Sequence, residues 1–164
     1  RYNLCEVCIL ECENHTLVAF IRENSMIGYD LMKVISYDDG ETWQELCNTP
    51  ICAGHRPVAG FLQDGRVLVT YRFVPTGPQY RNFFAAVLNQ EELTETDRTK
   101  QKIITMPIDY DRCSWPDTGY SGWTQFDDGE IYVVNYIRDD TAVPEHPYIR
   151  GYSFYPEDII LPEK

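Results

Sequence analysis

The sequence lacks features that would each point to a particular class of protein. It has no apolar run approaching the ~18 to 20 residues that a membrane-spanning helix needs. Basic residues are few: 14 Lys and Arg stand against 26 Asp and Glu, giving a formal net charge of −12. Long-range attraction would therefore steer neither nucleic acid nor an anionic membrane to the protein, and an anionic ligand would need a local arginine cluster.

Long helical periodicity is absent as well, and the composition is that of short strands and tight turns. Of the 164 residues, 13% are aromatic, and there are 10 Gly and 10 Pro. Aromatic residues favour strands, whereas Gly and Pro favour turns. We therefore expect an all-β fold. The only cluster of good helix formers, residues 90–102, is interpreted as a polar loop with room for one short helical turn.

Six cysteines are interpreted as buried free thiols: Cys5, Cys8, Cys12, Cys47, Cys52 and Cys113. A disulfide framework is one alternative, although the chain is larger than the small secreted domains that depend on one. A metal site built from the first three cysteines is another. It is disfavoured because Cys5 and Cys8 would point to opposite faces of a strand and no matching ligand pair follows at zinc-finger spacing.

A 17-residue pattern occurs three times, at residues 6–22, 56–72 and 120–136. Each copy has an apolar run, a polar turn and a second apolar run that ends in Arg or Tyr. The turns are Glu13-Asn14-His15, Asp64-Gly65 and Asp128-Gly129, and Asp-Gly between β-rich runs is a strong hairpin signal. Each copy is therefore expected to form a hairpin.

Further predicted strands follow the hairpins, at residues 28–38 with 42–46, at 80–89 with 100–108, and at 148–156. About four strands per unit is the size of a propeller blade. We expect a single region with blades at residues 1–53, 54–115 and 116–164. Three blades cannot close a propeller, so the chain is expected to be a fragment or to complete its ring by self-association.

Residues 36–43, SYDDGETW, fit the pattern S-x-D-x-G-x-T-W through Ser36, Asp38, Gly40, Thr42 and Trp43. In a folded turn Asp38 would accept backbone N–H bonds, Gly40 would adopt a backbone angle that other residues resist, and Trp43 would pack into the sheet. We interpret the motif as structural and not catalytic. The alternative is a chance hairpin in an unrelated β protein.

This motif resembles the Asp-box, or bacterial neuraminidase repeat, of sialidases and other propellers. The resemblance implies about three four-stranded blades of a six-bladed propeller of the sialidase type. Sialidases combine a glutamate at a strand start, an arginine at the end of its hairpin, an arginine from the next blade and a tyrosine from the blade after. Glu6, Arg22, Arg56 and Tyr120 follow that order. Because Glu6, Arg56 and Tyr120 begin the three copies, they would converge at the channel mouth.

The resemblance implies a retaining exo-glycosidase that hydrolyses a terminal acidic sugar, such as sialic acid, with no metal or other cofactor. Tyr120 would be the nucleophile, because the carboxylate on the anomeric carbon of the sugar would repel an anionic one. Glu6 would be its base, since a phenol with a pKa of about 10 needs one. Arg22 and Arg56 would bind the carboxylate of the sugar.

Some site assignments have competitors. Arg72 and Arg81 compete with Arg56 for a place in the arginine cluster. His55 would contact a sugar hydroxyl or be an ordinary structural histidine, and Asp117 would orient the loop before Tyr120. The first arginine and the acid/base aspartate of sialidases have no counterpart in the chain, so the isolated chain is expected to be inactive.

Two other functions fit the same residues. One is a hydrolase or lyase for another glycan, in which Tyr120 and Glu6 would not be in contact. The other is a non-catalytic glycan-binding or scaffold propeller, in which salt bridges would pair off the arginines. In each case the expected partner is a glycan, with no nucleic acid and no membrane span.

Overall fold

The computed structural model of the chain describes residues 1–77, 80–139 and 146–159. Its strands form three antiparallel sheets. The first sheet contains β1 (Leu4–Glu11), β2 (Leu17–Glu23), β3 (Met32–Ser36) and β4 (Cys47–Asn48). The second contains β5 (Gly54–Phe61), β6 (Val67–Phe73), β7 (Asn82–Leu88) and β8 (Ile103–Tyr110). The third contains β9 (Gly122–Gln125), β10 (Ile131–Ile137) and β11 (Tyr148–Phe154), with β10 in the middle.

The all-β prediction is confirmed. The loop at residues 90–102 contains the short helix α1 (Glu91–Thr94), and a single 3-10 turn, Pro156–Asp158, follows β11. None of the helices in the described ranges is long and apolar enough to cross a membrane.

The three copies of the repeat fold as the hairpins β1–β2, β5–β6 and β9–β10. One backbone hydrogen bond of 2.8 Å recurs in all three turns, and it runs from the N–H of Cys12 to Thr16, of Leu62 to Arg66 and of Phe126 to Glu130. Gly65 and Gly129 adopt φ angles of 85° and 92°, where glycine is favoured. In the first copy Asn14 and His15 take this left-handed conformation instead.

The predicted strand at residues 42–46 is wrong, because residue 42 belongs to the turn that follows β3 and residues 43–46 form no regular secondary structure. The N–H of Thr42 donates to Asp38 Oδ1 at 2.9 Å, and its hydroxyl donates to Asp38 Oδ2 at 2.6 Å. The N–H of Gln44 then donates to the carbonyl of Ile35 in β3 at 2.8 Å, and regular strand pairing resumes at Cys47, which pairs with Lys33.

The rest of the S-x-D-x-G-x-T-W motif closes the same turn, except for its tryptophan. Ser36 Oγ accepts the N–H of Gly40 at 2.9 Å, and Gly40 has a φ of 91°. Trp43 is 39% exposed, so the prediction that it packs into the sheet is wrong. Its ring lies beside Gly40 of the turn.

The second sheet lies between the other two, and both of its faces are buried. Val67, Val69 and Tyr71 of β6 pack with Val18 and Phe20 of the first sheet. Leu68, which lies between Val67 and Val69 and points to the other face, belongs to a second core. This core contains Phe83 of the second sheet and Ile131 and Val133 of the third. A strand buried on both faces reads as a continuous apolar run, which accounts for the sequence of β6.

The interpretation of the cysteines as buried thiols is correct only for Cys113. All six are free; Cys52 is exposed and the other four are half-buried. The argument that Cys5 and Cys8 point to opposite faces is also wrong. A bulge between Cys5 and Val7 places Cys5 opposite Arg22 and Cys8 opposite Phe20, which puts both on one face. In the described ranges no group of three or more His, Cys, Asp or Glu could hold a metal ion.

Candidate functional site

Two β-bulges place Glu6 and Arg56 at equivalent points of β1 and β5. The register shifts between Cys5 and Val7 in one strand and between His55 and Val58 in the other. Glu6 and Arg56 have φ angles of 36° and 54°, which are costly for residues other than glycine. A bulge re-aims a side chain, and here both side chains line one cavity of about 400 Å³.

Glu6 is the carboxylate on which the groups of this cavity converge. Arg22 Nη1 donates to Glu6 Oε2 at 2.6 Å, and Arg56 Nη1 lies 3.4 Å from Glu6 Oε1. The hydroxyl of Tyr120 donates to the same Oε1 at 3.4 Å. Two guanidiniums and one phenol therefore share a single carboxylate.

Tyr120 lines this cavity and also a second, larger one. The residue is 46% exposed. The guanidinium carbon of Arg56 stands 3.5 Å from the centroid of the Tyr120 ring, and that of Arg72 stands 5.0 Å away. Both distances are within the range of cation–π attraction, so the ring is held beside two positive charges.

The second cavity, of about 640 Å³, is lined by Arg22, Arg72, Arg81, Asp117, Tyr120 and Tyr136. Asp117 Oδ1 accepts from Arg81 Nη1 at 2.5 Å, from the Tyr136 hydroxyl at 2.9 Å and from Arg72 Nη2 at 3.4 Å. The same Arg72 nitrogen donates to Tyr136 Oη at 2.7 Å. Arginine charge on this side is thus paired with a carboxylate of the chain itself.

Positions at the ends of the second hairpin strands explain why these side chains meet. Arg22, Arg72 and Tyr136 are the final residues of the three 17-residue copies. Tyr136 did not figure among the residues that the sequence predicts for the site, yet the repeat already marked its position. Burial, partly offset by the charge of Arg72, raises the pKa of Tyr136 to about 12, so this phenol remains a hydrogen-bond donor.

The predicted site residues divide into three groups. Glu6, Arg56 and Tyr120, which the repeat predicted to converge, line the first cavity together, and Arg22 binds Glu6. Of the three competing arginines, Arg72 and Arg81 share the second cavity with Arg22, whereas Arg56 lines only the first. The remaining two residues are His55, which is buried, and Asp117, which lines the second cavity.

His55 is only 3% exposed, which leaves little of its surface for contact with a sugar hydroxyl. Burial, together with the nearby charges of Arg22 and Arg72, lowers its pKa to about 4. Asp117 does more than orient a loop, because its carboxylate binds two of the arginines directly.

Comparisons with known proteins bear on the fold. No protein-family model and no curated protein matches the chain. Among solved structures, a protein of unknown function from Dyadobacter fermentans superposes with a TM-score of 0.72 at 26% identity, over 93% of this chain. The NanB sialidase from Streptococcus pneumoniae, solved with a chlorobenzyl-ammonio-ethanesulfonate, superposes with a TM-score of 0.53 at 17% identity, over 94% of this chain. The fold is sialidase-like.

Both neighbours are much longer than this chain. The matched region spans 38% of the Dyadobacter protein and 24% of the sialidase. At 17% identity the likeness to the sialidase concerns the arrangement of the strands alone.

Proposed function

We propose that this chain is part of a sialidase-like β-propeller enzyme, a retaining exo-glycosidase that hydrolyses a terminal acidic sugar. The observation that carries the proposal is the contact between Tyr120 and Glu6, with Tyr120 Oη 3.4 Å from Glu6 Oε1. A solvent-accessible phenol beside a carboxylate is the arrangement that a tyrosine nucleophile requires. This contact disfavours the hydrolase or lyase for another glycan, for which the two residues would be apart.

The arginines supply the expected specificity. Arg22, Arg72 and Arg81 line one wall of the second cavity, which Tyr120 shares. A carboxylate on the anomeric carbon would lie against these guanidiniums while that carbon faces the Tyr120 hydroxyl. Four guanidiniums stand against two carboxylates in the cluster, so an anion finds a local positive site on a protein of net charge −12.

Arg56 has a different role in this proposal from the carboxylate binding that the sequence indicated. Its guanidinium covers one face of the Tyr120 ring and contacts Glu6. It therefore positions the nucleophile and its base. The geometry favours Arg72 and Arg81 as the partners of Arg22 in carboxylate binding.

In the proposed reaction, the Tyr120 oxygen attacks the anomeric carbon and Glu6 takes the phenol proton. The glycosidic bond breaks, and the leaving oxygen receives a proton from an acid that is not among these residues. Water then cleaves the tyrosyl bond and releases the sugar with retained configuration. The three sheets are proposed as three blades, at residues 1–53, 54–115 and 116–164, of a longer propeller that supplies this acid and a further arginine.

The test is steady-state kinetics of the full-length protein on a fluorogenic sialoside and on uncharged glycosides. We expect Tyr120→Phe to lower kcat by about three orders of magnitude or more, while binding of the acidic sugar survives because it rests on the arginines. Tyr37→Phe is the matched control, since Tyr37 is similarly exposed, at 52%, and lies outside the cluster. Full activity in Tyr120→Phe, or cleavage of uncharged glycosides alone, contradicts the proposal.

A second candidate is a non-catalytic glycan-binding propeller, and one observation favours it. The arginines are paired in salt bridges, Arg22 and Arg56 with Glu6 and Arg72 and Arg81 with Asp117. Under this alternative, the full-length protein binds an acidic glycan and releases no product, and Tyr120→Phe changes nothing. The kinetic assay above therefore separates the two candidates.

A further inference from the structure

Asp117 occupies the place that a ligand carboxylate would take. Its Oδ1 receives three donors, from Arg81, Tyr136 and Arg72, at 2.5, 2.9 and 3.4 Å. The side chain is half-buried and lines the second cavity, so it lies at the surface of the cavity and not beneath it. A substrate carboxylate that approached Arg72 and Arg81 would meet an anion already bound there.

We propose that Asp117 is an internal competitor for the substrate carboxylate, held between Arg72 and Arg81 until an acidic sugar displaces it. The inference rests on the proposed function of the site as a binder of acidic sugars. It assigns Asp117 a role in specificity: a ligand must offer more than a negative charge, because it must replace a charge pair that already exists. Simple anions gain little from such an exchange, whereas a sugar adds contacts with Tyr120 and Tyr136.

Backbone anchors allow the Asp117 side chain to leave without unfolding its loop. The N–H of Asp117 donates to Asp111 Oδ2 at 3.0 Å, and the same oxygen accepts the N–H of Arg138 at 3.1 Å. The next residue, Thr118, is also fixed: its carbonyl accepts from Arg72 Nε, and its hydroxyl donates to the Tyr136 carbonyl at 2.8 Å. None of these bonds uses the Asp117 carboxylate, so rotation of that side chain leaves the loop in place.

Unused donors on Arg81, which binds Asp117, and on Arg22, which lines the same cavity, support an exchange of ligands. The Nε atoms of Arg22 and Arg81 are buried, and neither has a hydrogen-bond partner within the described ranges. A carboxylate with two oxygens can bind a guanidinium in a bidentate manner, whereas Asp117 uses one oxygen for every bond to this cluster. The pairing inside the chain is therefore incomplete, and a ligand with better geometry can replace it.

The experiment is a calorimetric titration of the full-length protein with free sialic acid, and with methyl galactoside as an uncharged sugar. Asp117→Asn removes the competing charge and keeps the size of the side chain. We expect it to bind sialic acid about tenfold more tightly than the wild type, the factor for an interaction of about 1.4 kcal/mol, and to bind the uncharged sugar no differently. Asp109→Asn is the matched control, because Asp109 is ion-paired with Arg150 outside the cluster.

A second pair of variants tests whether the tighter binding of sialic acid depends on the arginines. In an Arg81→Met background, Asp117→Asn should increase the affinity for sialic acid much less than it does in the wild type. Asp117→Ala should increase that affinity, as Asp117→Asn does. Circular dichroism and melting curves verify that each variant is folded. Weaker or unchanged binding in folded Asp117→Asn, or no binding of sialic acid by either protein, overturns the proposal.

This titration needs no turnover, so its failure is separable from failure of the proposed function. Hydrolysis that depends on Tyr120 without a gain in Asp117→Asn refutes the competitor role alone. A gain in binding without hydrolysis refutes the enzyme proposal alone.

Discussion

At the scale of single residues, a buried neutral histidine lies next to the charged cluster. His55 is almost fully buried, and its Nδ1 has no hydrogen-bond partner in the described part of the chain. Arg22 and Arg72 lie close enough to disfavour a third positive charge, while Glu6 and Glu23 favour it less strongly. Burial and repulsion together lower the pKa of His55 to about 4, so the imidazole is neutral at physiological pH.

This lowered pKa predicts a loss of stability in acid. Because the pKa falls from 6.5 in the unfolded chain to about 4 in the folded protein, the unfolded state binds the proton more readily between these values. The free energy of unfolding should therefore fall by about 3 kcal/mol from this group as the pH drops from 7 to 4. His55→Gln should flatten that part of the pH profile measured by urea unfolding. Equal slopes in His55→Gln and the wild type would contradict the assignment.

Arg56 and Arg81 should differ in the kinetic constant that they affect. Arg56 stacks on Tyr120 and contacts Glu6, whereas Arg81 lies with Asp117 in the second cavity. We expect Arg56→Met to lower kcat about 10- to 100-fold with little change in KM, and Arg81→Met chiefly to raise KM. Steady-state kinetics on the sialoside provide the measurement. A rise in KM alone for Arg56→Met would restore the carboxylate-binding role that the sequence indicated.

At the scale of elements, local signals predicted the hairpins and missed the bulges. Asp-Gly turns and alternating apolar runs are signals formed by residues that are adjacent in the sequence. The sequence alone therefore predicted the hairpins at 6–22, 56–72 and 120–136. The register shifts at Glu6 and Arg56 have no such signal, and they decide where Arg56 points. Arg81 lies outside the repeat altogether, which explains why its place in the cluster needed the structure.

The turn that carries Asp38 supports a prediction about stability at this scale. Asp38 accepts two hydrogen bonds from Thr42, one from its hydroxyl and one from its N–H, and these bonds lower the pKa of the Asp38 carboxyl. Asp38→Ala should lower the melting temperature by roughly 2 to 6 °C, and Trp43→Ala by less, because Trp43 is largely at the surface. Asp127→Ala, at an exposed carboxylate, is the control. A larger effect from Trp43→Ala would show that its ring is a core residue after all.

At the scale of the whole molecule, the three sheets stack in order and leave two outer faces uncovered by the described residues. Ile9 of β1 is 56% exposed on the outer face of the first sheet. Val134 and Ile149, of β10 and β11, are 38% and 72% exposed on the outer face of the third. By contrast, apolar residues of the neighbouring sheets cover both faces of the second sheet. Exposed apolar sheet faces favour association with another surface.

The isolated chain should therefore self-associate, with its charge opposing the process. At a net charge of −12, repulsion keeps copies apart at low ionic strength, whereas ~0.15 M salt reduces its range to about 8 Å and lets the apolar faces meet. Analytical ultracentrifugation should show a mass above the 19.1 kDa of the monomer at high concentration and in salt, falling on dilution. Ile149→Lys should shift the equilibrium towards monomer, because a lysine buried in the contact would lose its hydration. Trp115→Lys is the matched control, since Trp115 is equally exposed, at 72%, on a loop. A monomer under every condition would show that these faces do not pair with each other.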